Sequence, residues 1–330
     1  MKVLVIGGTQ FVGRHIVSSL IADGDDVTLF HRGHPNPDLF AWADHRLGDR
    51  DVDLSALSTG AWDATIDTSA YVPRQVHDLA AALGGRGGRY FHISSVSAYA
   101  SPVAPGLTED APLAVLDDPT TETVNGNTYG GLKALCEQAS LEAFGPWGAP
   151  VSIVRPTYVA GPHDYTGRFT WWVERVARGG RVLAPGPRDN PFQVIDARDL
   201  AEFVARLAHG HAAGTFHAVS PAPPFSFEGF LTTVVDTVGP AGTELVWAEA
   251  EALIEADVSA AELPLWAALA PGRDISAADP SRAFEAGLQP RPLARTIQDT
   301  HDHEIAEPTP VRGPVGLEPD REEELLKLVA

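Results

Sequence analysis

The most informative stretch for the fold lies near the start of the chain. It reads Lys2-Val3-Leu4-Val5-Ile6-Gly7-Gly8-Thr9-Gln10-Phe11-Val12-Gly13. Residues 2–6 form a continuous run of mainly β-branched apolar residues, typical of a strand buried on both faces of a parallel sheet. Two glycines follow at once, and residues 14–22 then show the apolar spacing of a helix. A strand, a glycine turn and a helix in this order place a pyrophosphate on the helix N-terminus. The stretch therefore predicts a dinucleotide-binding unit.

The glycine turn has expected tasks for its separate residues. Gly7 is expected to make the tight turn, and Gly13 to allow close contact between helix and strand. Gln10 occupies a place where glycine is usual, which implies a wider approach of backbone to phosphate and a side chain free to donate a hydrogen bond. An ordinary turn without a ligand is the alternative. The predicted cofactor-binding residues of the turn are Gly7, Thr9, Gln10, Phe11, Val12 and Gly13.

The second predicted strand, residues 26–30, ends without the acidic residue that binds a ribose hydroxyl in NAD-binding proteins. Arg32 stands there instead. Its charge and its planar fork of donors suit the 2′-phosphate of NADP, although a solvated surface arginine is the alternative. The sequence therefore favours NADP(H) as the cofactor, with NAD(H) as the second option.

Further polar and small residues follow the ends of the later strands. A predicted strand end at Leu47-Gly48-Asp49 brings a carboxylate that could reach the adenine amine, and residues 65–69 and 89–95 form the next two strands. A sixth strand covers residues 151–154. Because the carboxyl ends of parallel strands meet at one edge of the sheet, these residues are predicted to share one crevice. The additional predicted cofactor-binding residues are Asp49, Thr68, Ser69, Ala70, Lys133, Pro156 and Tyr158.

Tyr129 and Lys133 are four residues apart, and Lys133 is one of only three lysines in the 330-residue chain. On a helix, predicted to begin near residues 125–128, this spacing puts both side chains on one face. A nearby ammonium favours the phenolate and lowers the pKa of a tyrosine from about 10. Gly130 and Gly131 are poor helix formers, and we expect their backbone to lie against the flat nicotinamide. A chance surface pair is the alternative.

Composition limits the classes of function. The formal net charge of −20 disfavours nucleic acid, which is bound mainly through clustered lysine and arginine, and equally an anionic membrane surface. With 44% hydrophobic and 21% charged residues, a folded soluble protein is expected. Cys136 is the single cysteine, which argues against a disulfide framework or a cysteine-based zinc site, so no metal is expected. No apolar run suits a signal peptide or a membrane span, which favours a cytoplasmic location.

Four motifs occur in a fixed order along the chain: Gly7-Gly8-Thr9-x-Phe11-Val12-Gly13, Ser94-Ser95-x3-Tyr99, Tyr129-x3-Lys133 and Arg155-Pro156-x3-Ala160-Gly161-Pro162. Together they resemble the extended short-chain dehydrogenase/reductases of the NAD-dependent epimerase/dehydratase type, over residues 1 to about 210. The resemblance implies an α/β fold, a Rossmann-type doubly wound parallel sheet with a smaller C-terminal α/β substrate domain. It also implies that Tyr129 is the catalytic acid/base, that Lys133 holds the nicotinamide ribose, and that Ser95 holds the substrate oxygen. Ser94 is the competing candidate for that last role.

The chain is predicted to divide into residues 1–160, mainly cofactor-binding, and residues 161–330, mainly substrate-binding, with elements at about 190–220 returning to the first part. Aromatic residues between 161 and 207 either line a pocket for a small apolar or aromatic substrate or form the core between the two parts. Residues 253–269 are interpreted as part of a substrate lid. Residues 307–320, rich in proline and glycine, are interpreted as an extended surface linker. The family often dimerises, so a homodimer is an open expectation.

Two departures from the family pattern concern the substrate. Tyr158 stands where enzymes acting on nucleotide sugars usually have asparagine, and Asp189 stands where they tend to have a phosphate-binding arginine, with Arg188 one step away. A carboxylate would repel a diphosphate. The first hypothesis is therefore an NADP(H)-dependent oxidoreductase acting on a small carbonyl or imine. An NAD-dependent epimerase or dehydratase acting on a sugar or nucleotide sugar, and a non-catalytic dinucleotide-binding protein, are the alternatives.

Overall fold

The computed structural model describes residues 1–101, 106–221, 225–266 and 277–328. Its strands are β1 (Lys2–Ile6), β2 (Asp26–His31), β3 (Asp44–Leu47), β4 (Ala64–Asp67), β5 (Arg89–Ile93), β6 (Val151–Pro156), β7 (Tyr158–Ala160), β8 (Arg181–Pro185), β9 (Val194–Asp196), β10 (Gly214–Ala218) and β11 (Glu244–Ala248). Its helices are α1 (Phe11–Ala22), α2 (Pro73–Leu83), α3 (Tyr129–Phe144), α4 (Arg168–Ala177), α5 (Ala197–His209), α6 (Phe227–Val238), α7 (Ala250–Glu255), α8 (Ser281–Glu285), α9 (Leu293–Ala306) and α10 (Pro319–Leu328). Within these ranges, no helix has both the length and the apolar character needed to cross a bilayer.

The central sheet has seven parallel strands in the order β10-β6-β5-β4-β1-β2-β3. The chain runs outward from β1 to β3 on one side and from β4 to β10 on the other, so the strand order reverses between β1 and β4. Ligands of such sheets bind at this switch point, outside the carboxyl ends of the strands. The arrangement confirms the predicted doubly wound sheet and places the crevice beside the glycine turn.

Strand β1 shows why a continuous apolar run forms the centre of the sheet. Val3 and Val5 belong to the core that α1 and α5 cover, whereas Leu4 and Ile6 belong to the core that α2 and α3 cover. All four side chains are at most 1% exposed. Because successive side chains of a strand point to opposite faces, a strand covered on both sides is apolar at every position.

The second half of the chain builds a hydrophobic core of its own from α4, α6, α9 and the paired strands β8 and β11. Phe169, Trp172 and Phe192 are buried in it and pack a core, whereas Tyr165, from the same predicted set, lines a cleft. Leu253 and Trp266, from the segment interpreted as a lid, are buried in the same core, while residues 267–269 lie outside the described residues.

Two elements of the second half return to the central sheet. Strand β10 pairs with β6, and α5 packs against α1 on one face of the sheet. These returning elements fall within the range of about 190–220 proposed for them. The division of the chain at residues 160 and 161 stays our proposal.

Helix α1 begins earlier than predicted, whereas α3 begins directly after residues 125–128, where its start was predicted, with Thr128 as its N-cap residue. Helix α1 begins at Phe11 and not at residue 14, because Gln10 is an extended residue directly before it, with φ −125°. Helix α3 begins at Tyr129, since the side chain of Asn125 accepts the N–H of Thr128 at 3.2 Å and closes a separate turn before the helix. Both helices therefore start directly at predicted functional residues.

The predicted strands at residues 65–69 and 89–95 end two residues early. Strand β4 ends at residue 67 and β5 at residue 93, so Thr68, Ser69, Ser94 and Ser95 lie in the loops that follow. Ser95 leads directly into a 3-10 turn, Val96–Ala98, and its side chain caps this turn.

The surface linker predicted for residues 307–320 is wrong in part. Helix α10 already begins at Pro319, whereas residues 308–318, which we call the C-terminal strap, form the predicted extended surface segment, of which Leu317 packs into the second core. The Gly316 N–H donates to the carbonyl of Ala261 at 2.7 Å, and Leu317 is buried. A Cβ at Gly316 would lie 1.8 Å from Nε1 of Trp171, so the strap approaches this side chain as only glycine permits.

Candidate active site

A cleft of about 550 Å³ opens at the switch point of the sheet. The predicted residues that line it are Gly7, Thr9, Gln10, Phe11, Val12, Gly13, Arg32, Thr68, Ser69, Ser95, Tyr129, Lys133, Pro156 and Tyr158. A larger depression of about 1090 Å³ between α1 and α5 is an open groove that contains none of these residues. The fold thus brings most of the predicted site residues together in one crevice.

The glycine turn has the shape that a bound pyrophosphate requires. Gly7 has φ +102°, and a Cβ there would lie 2.5 Å from Oγ1 of Thr68. A Cβ at Gly13 would lie 2.7 Å from the main-chain nitrogen of Gly8, so the helix start packs directly on the turn. Gln10 makes no capping hydrogen bond with α1. The first N–H groups of α1 therefore have no side-chain cap, and a helix N-terminus in this state suits an anion.

Arg32 lies directly after the end of β2. Its side chain is exposed and lines the cleft, and the guanidinium has no hydrogen bond or ion pair to any residue that the structure describes. The loop that carries it is held in place: the Gly33 N–H donates to Nδ1 of His31 at 3.1 Å, and Nδ2 of Asn36 donates to the carbonyl of Thr9 at 2.9 Å. The position suits the predicted contact with a 2′-phosphate.

Asp49 and Ala70 are not part of the cleft lining. The carboxylate of Asp49 accepts a main-chain N–H of its own loop at 3.0 Å. Ala70 is fully buried and presents its carbonyl to Nζ of Lys133. The contact of Asp49 with adenine and that of Ala70 with the cofactor stay predictions.

Arg50, which no motif or spacing in the chain indicates, organises the end of β4. It donates to both carboxylate oxygens of Asp67 at 2.8 and 2.9 Å, and to Oγ of Ser69 at 2.9 Å. Burial alone would raise the pKa of Asp67, but the Arg50 guanidinium holds it at about 2. The buried pair therefore remains ionised and fixes Ser69 at the cleft.

No group of three or more His, Cys, Asp or Glu side chains suited to a metal ion is found in the described part of the chain.

Ser95, Tyr129 and Lys133 meet beside the ends of β5 and β6. The hydroxyl of Ser95 lies beside the phenol of Tyr129, close enough to lower its pKa, and both side chains line the cleft. Lys133 is 3% exposed, and its Nζ donates to the carbonyls of Ala70 at 3.0 Å and Ile93 at 2.7 Å. An ammonium has three donors, so these two bonds orient Lys133 and leave one N–H for a group in the cleft.

The pKa of Tyr129 differs from the sequence-based expectation. Burial raises it, while the neighbouring hydroxyl of Ser95 and the charge of Arg168 lower it. Lys133 is not among the groups with the largest effect on this pKa; its ammonium donates to the main-chain carbonyls of Ala70 and Ile93, and burial lowers its own pKa. The cation that acts most on Tyr129 is Arg168, the first residue of α4, whose guanidinium lies 5.2 Å from the ring centre of Tyr158.

The structure separates the two candidate serines. Oγ of Ser94 donates to the buried carboxylate of Glu137, which also accepts two hydrogen bonds from Arg155 at 2.9 and 2.6 Å. Ser94 also lines the cleft, but its hydroxyl is engaged in this buried network. Ser95 contacts Tyr129, so the geometry favours Ser95 as the residue that holds a substrate oxygen.

We had expected the backbone of Gly130 and Gly131 to lie against the nicotinamide. The structure shows that both glycines instead face atoms of the protein. A Cβ at Gly130 would lie 2.1 Å from the carbonyl oxygen of Ser97, and one at Gly131 would lie 2.5 Å from the side chain of Leu116. The two glycines instead let the start of α3 pack against the protein itself. This expectation is wrong because the contact lies within the fold.

Other residues of the cleft have no signal in the sequence. Tyr71 lies with its ring centre 6.4 Å from that of Tyr129. Arg312, from the C-terminal strap, donates from Nη2 to Oε1 of Gln10 at 2.7 Å and stacks 4.4 Å from the ring centre of Tyr165. Arg312 is far from the glycine turn along the chain, so only the folded structure brings the two together.

Comparisons with known proteins agree with this fold. The model of the NAD dependent epimerase/dehydratase family matches residues 3–217. The chloroplast stem-loop binding protein of 41 kDa b of Arabidopsis thaliana is 27% identical over 263 residues, which cover 74% of this chain and 65%, less than two thirds, of that protein. A 2-alkyl-3-oxoalkanoate reductase of Stenotrophomonas maltophilia is 28% identical over 261 residues, covering 72% of this chain and 76% of the relative. The crystal structure of a Thermus thermophilus UDP-glucose 4-epimerase complex with NAD has a TM-score of 0.66 at 19% identity, covering 93% of this chain and 100% of that one, and is similar in fold.

Proposed function

Because this chain belongs to the NAD dependent epimerase/dehydratase family, we propose that it is an NADP(H)-dependent oxidoreductase acting on a small carbonyl or imine substrate. The observation that carries the proposal is that Ser95 and Tyr129 lie side by side in the same cleft as the glycine turn. A cofactor on the turn and a substrate oxygen at this pair would lie within one continuous space.

The residues of the cleft suit the reduction of a carbonyl. A reduced nicotinamide, when bound, supplies a hydride to the carbonyl carbon. Tyr129 donates its phenolic proton to the carbonyl oxygen, so that C=O becomes CH–OH and the atoms balance. Ser95 donates a hydrogen bond to the same oxygen and stabilises its developing negative charge. The raised pKa of Tyr129 keeps the phenol protonated before the reaction, as a proton donor requires.

The remaining residues support binding and orientation of the dinucleotide. The third N–H of Lys133 suits a ribose hydroxyl, because its other two donors are already engaged. Arg32 suits a 2′-phosphate, since its guanidinium lines the cleft and pairs with no carboxylate in the described residues. These two positions support NADP(H) over NAD(H).

Nucleotide sugars are less suited to the site than small carbonyl compounds. Arg188, the neighbour of Asp189, pairs with Glu228 at 3.2 Å and stacks 5.0 Å from the ring centre of Trp247. It does not line the cleft, so it does not replace the missing phosphate-binding arginine. One relative is named a 2-alkyl-3-oxoalkanoate reductase, and a 3-oxo acid is accordingly the first substrate type to try.

The test is a screen of small ketones, 3-oxo acids and imines, in which the consumption of NADPH is measured as a loss of its absorbance. Wild type is expected to oxidise NADPH with at least one of them. Tyr129→Phe is expected to lower kcat by at least ~100-fold, because it removes the proton donor, with the Kd of NADPH unchanged. Ser95→Ala is expected to lower kcat by roughly 100-fold as the loss of an oxyanion donor.

Two outcomes would contradict the proposal. One is a Tyr129→Phe variant with wild-type turnover, which would place the proton donor elsewhere. The other is interconversion of UDP-sugars without net consumption of NADPH, which would make the protein an epimerase.

A further inference from the structure

We propose that Arg312 of the C-terminal strap binds the pyrophosphate of the dinucleotide and that it acts as a unit with Gln10. The inference rests on the proposed function only in requiring that a dinucleotide binds in the cleft. It adds to the glycine turn a cationic ligand from the opposite end of the chain.

Arg312 lies at the anion-binding turn. Its side chain lines the same cleft as residues 7–13, and its Nη2 donates to Oε1 of Gln10 at 2.7 Å. Its main-chain N–H donates to the carbonyl of Tyr165 at 2.9 Å, and the guanidinium lies 4.4 Å from the ring centre of the same tyrosine. The side chain is thus oriented by contacts on both sides and needs little further ordering to bind a ligand.

The contact with Arg312 also explains the unusual Gln10. An arginine only donates, so the atom it contacts on Gln10 is the amide oxygen, and the orientation of the amide follows. The two N–H donors of the Gln10 amide remain for another acceptor, since this side chain makes no capping bond with α1. A residue that would otherwise crowd a phosphate therefore becomes a donor whose orientation Arg312 controls.

The charge of Arg312 is not neutralised by the protein. No carboxylate pairs with its guanidinium anywhere in the described ranges, although the chain carries a net charge of −20. Four of its five N–H donors have no hydrogen-bond acceptor among those residues. A phosphate is the group that a guanidinium with open donors, beside a helix N-terminus, binds best.

The strap holds Arg312 in place from both ends. On one side, the Thr309 N–H donates to the carboxylate of Glu304 at the end of α9, at 3.0 Å. On the other side, Leu317 is buried in the second core, and Gly316 is bonded to Ala261. The backbone around Arg312 is therefore anchored to the second half of the chain, and the cofactor would be bound between the two halves.

The test is calorimetric titration of NADPH, NADH and adenosine 2′-monophosphate, a probe that has the 2′-phosphate but no pyrophosphate. Arg312→Ala is expected to weaken NADPH and NADH by the same factor, roughly tenfold or about 1.4 kcal/mol, and to leave adenosine 2′-monophosphate unchanged. Arg32→Ala is the comparator and is expected to weaken NADPH and adenosine 2′-monophosphate while leaving NADH unchanged. Arg178→Ala, at an exposed arginine on the end of α4, is the matched control.

The pair is tested by a double-mutant cycle. If Arg312 orients Gln10, the losses caused by Arg312→Ala and Gln10→Ala will not add, because the two residues share one interaction. Unchanged affinity for both dinucleotides in Arg312→Ala would overturn the proposal, and so would a loss confined to NADPH, which would assign Arg312 to the 2′-phosphate. Unchanged thermal unfolding of the variant without ligand will show that the fold is intact.

The outcome is independent of the catalytic proposal. Absence of reductase activity would overturn the proposed function and leave the binding result in force. Full reductase activity with unchanged dinucleotide affinity in Arg312→Ala would overturn only the role of Arg312.

Discussion

The phenol of Tyr129 is under two opposing influences. Burial raises its pKa, whereas Ser95 and Arg168 lower it. A protonated phenol suits reduction of a carbonyl, and the reverse reaction, oxidation of an alcohol, requires the phenolate. Oxidation is therefore expected to accelerate as the pH rises toward the raised pKa of Tyr129.

Arg168 offers a test of this reasoning at the residue scale. Removing a positive charge disfavours the phenolate, so Arg168→Gln is expected to raise the pKa of Tyr129. The rising limb of kcat/KM for alcohol oxidation should then move to higher pH. Arg178→Gln, on the same helix but exposed at its other end, should leave the limb in place. An unchanged profile in Arg168→Gln would show that its charge does not act on Tyr129.

At the scale of elements, the start of α3 and the 3-10 turn at Val96–Ala98 hold the proposed catalytic groups together. Gly130 of α3 packs against the carbonyl of Ser97, where a Cβ would lie 2.1 Å from the oxygen. The N–H of Ser97 in turn donates to Oγ of Ser95 at 3.1 Å. A side chain at Gly130 would therefore separate Ser95 from Tyr129.

Gly130→Ala is expected to lower kcat by roughly 100-fold, because a displacement of about 1 Å at a reacting group has an effect of this size. The control is Gly145→Ala at the other end of α3, where φ is −52° and no heavy atom lies within 4 Å of the added Cβ. That variant should keep its activity, while its stability is expected to fall slightly, because a residue with a Cβ is disfavoured in the α region directly before Pro146. Steady-state kinetics and thermal unfolding of both variants provide the measurement. Wild-type kcat in Gly130→Ala would mean that this contact does not position the pair.

At the scale of the whole molecule, α1, the loop after β7 and the end of α9 meet at three histidines. The ring centres of His163 and His303 are 4.2 Å apart, and those of His163 and His15 are 5.7 Å apart. Nη1 of Arg14 donates to Nδ1 of His163 at 3.2 Å. Burial, Arg14 and the two other histidines lower the pKa of His163 to about 3.

This shift has a definite sign for stability. Below a pH of about 6.5 the unfolded chain binds a proton at His163, while the folded chain stays neutral there until pH about 3. Stability is therefore expected to fall as the pH falls through this window. His163→Gln should reduce the dependence of the urea midpoint on pH between 7 and 5, whereas His211→Gln, at an exposed histidine, should leave it unchanged. An equal slope in wild type and His163→Gln would contradict the prediction.

Patterns within short segments of the chain were enough to predict the doubly wound sheet and most of the residues that line the cleft. The apolar run of residues 3–6 requires a strand covered on both faces, and the glycine turn beside it requires a helix start at the switch point. Gly7, Thr68 and Lys133 line the cleft because they follow strands or share a helix face, and these relations depend on short spacing along the chain. Local spacing and periodicity were sufficient to predict them.

Contacts between residues far apart in the chain became known from the tertiary structure alone. Arg168 lies near Tyr129, and Arg312 contacts Gln10, because the second core positions α4 and the strap at the mouth of the cleft. Gly130 packs against a neighbouring carbonyl and not against a cofactor, which no spacing rule could indicate. Such contacts depend on how two separately formed cores pack together, and the periodicity of a single segment carries no information about that packing.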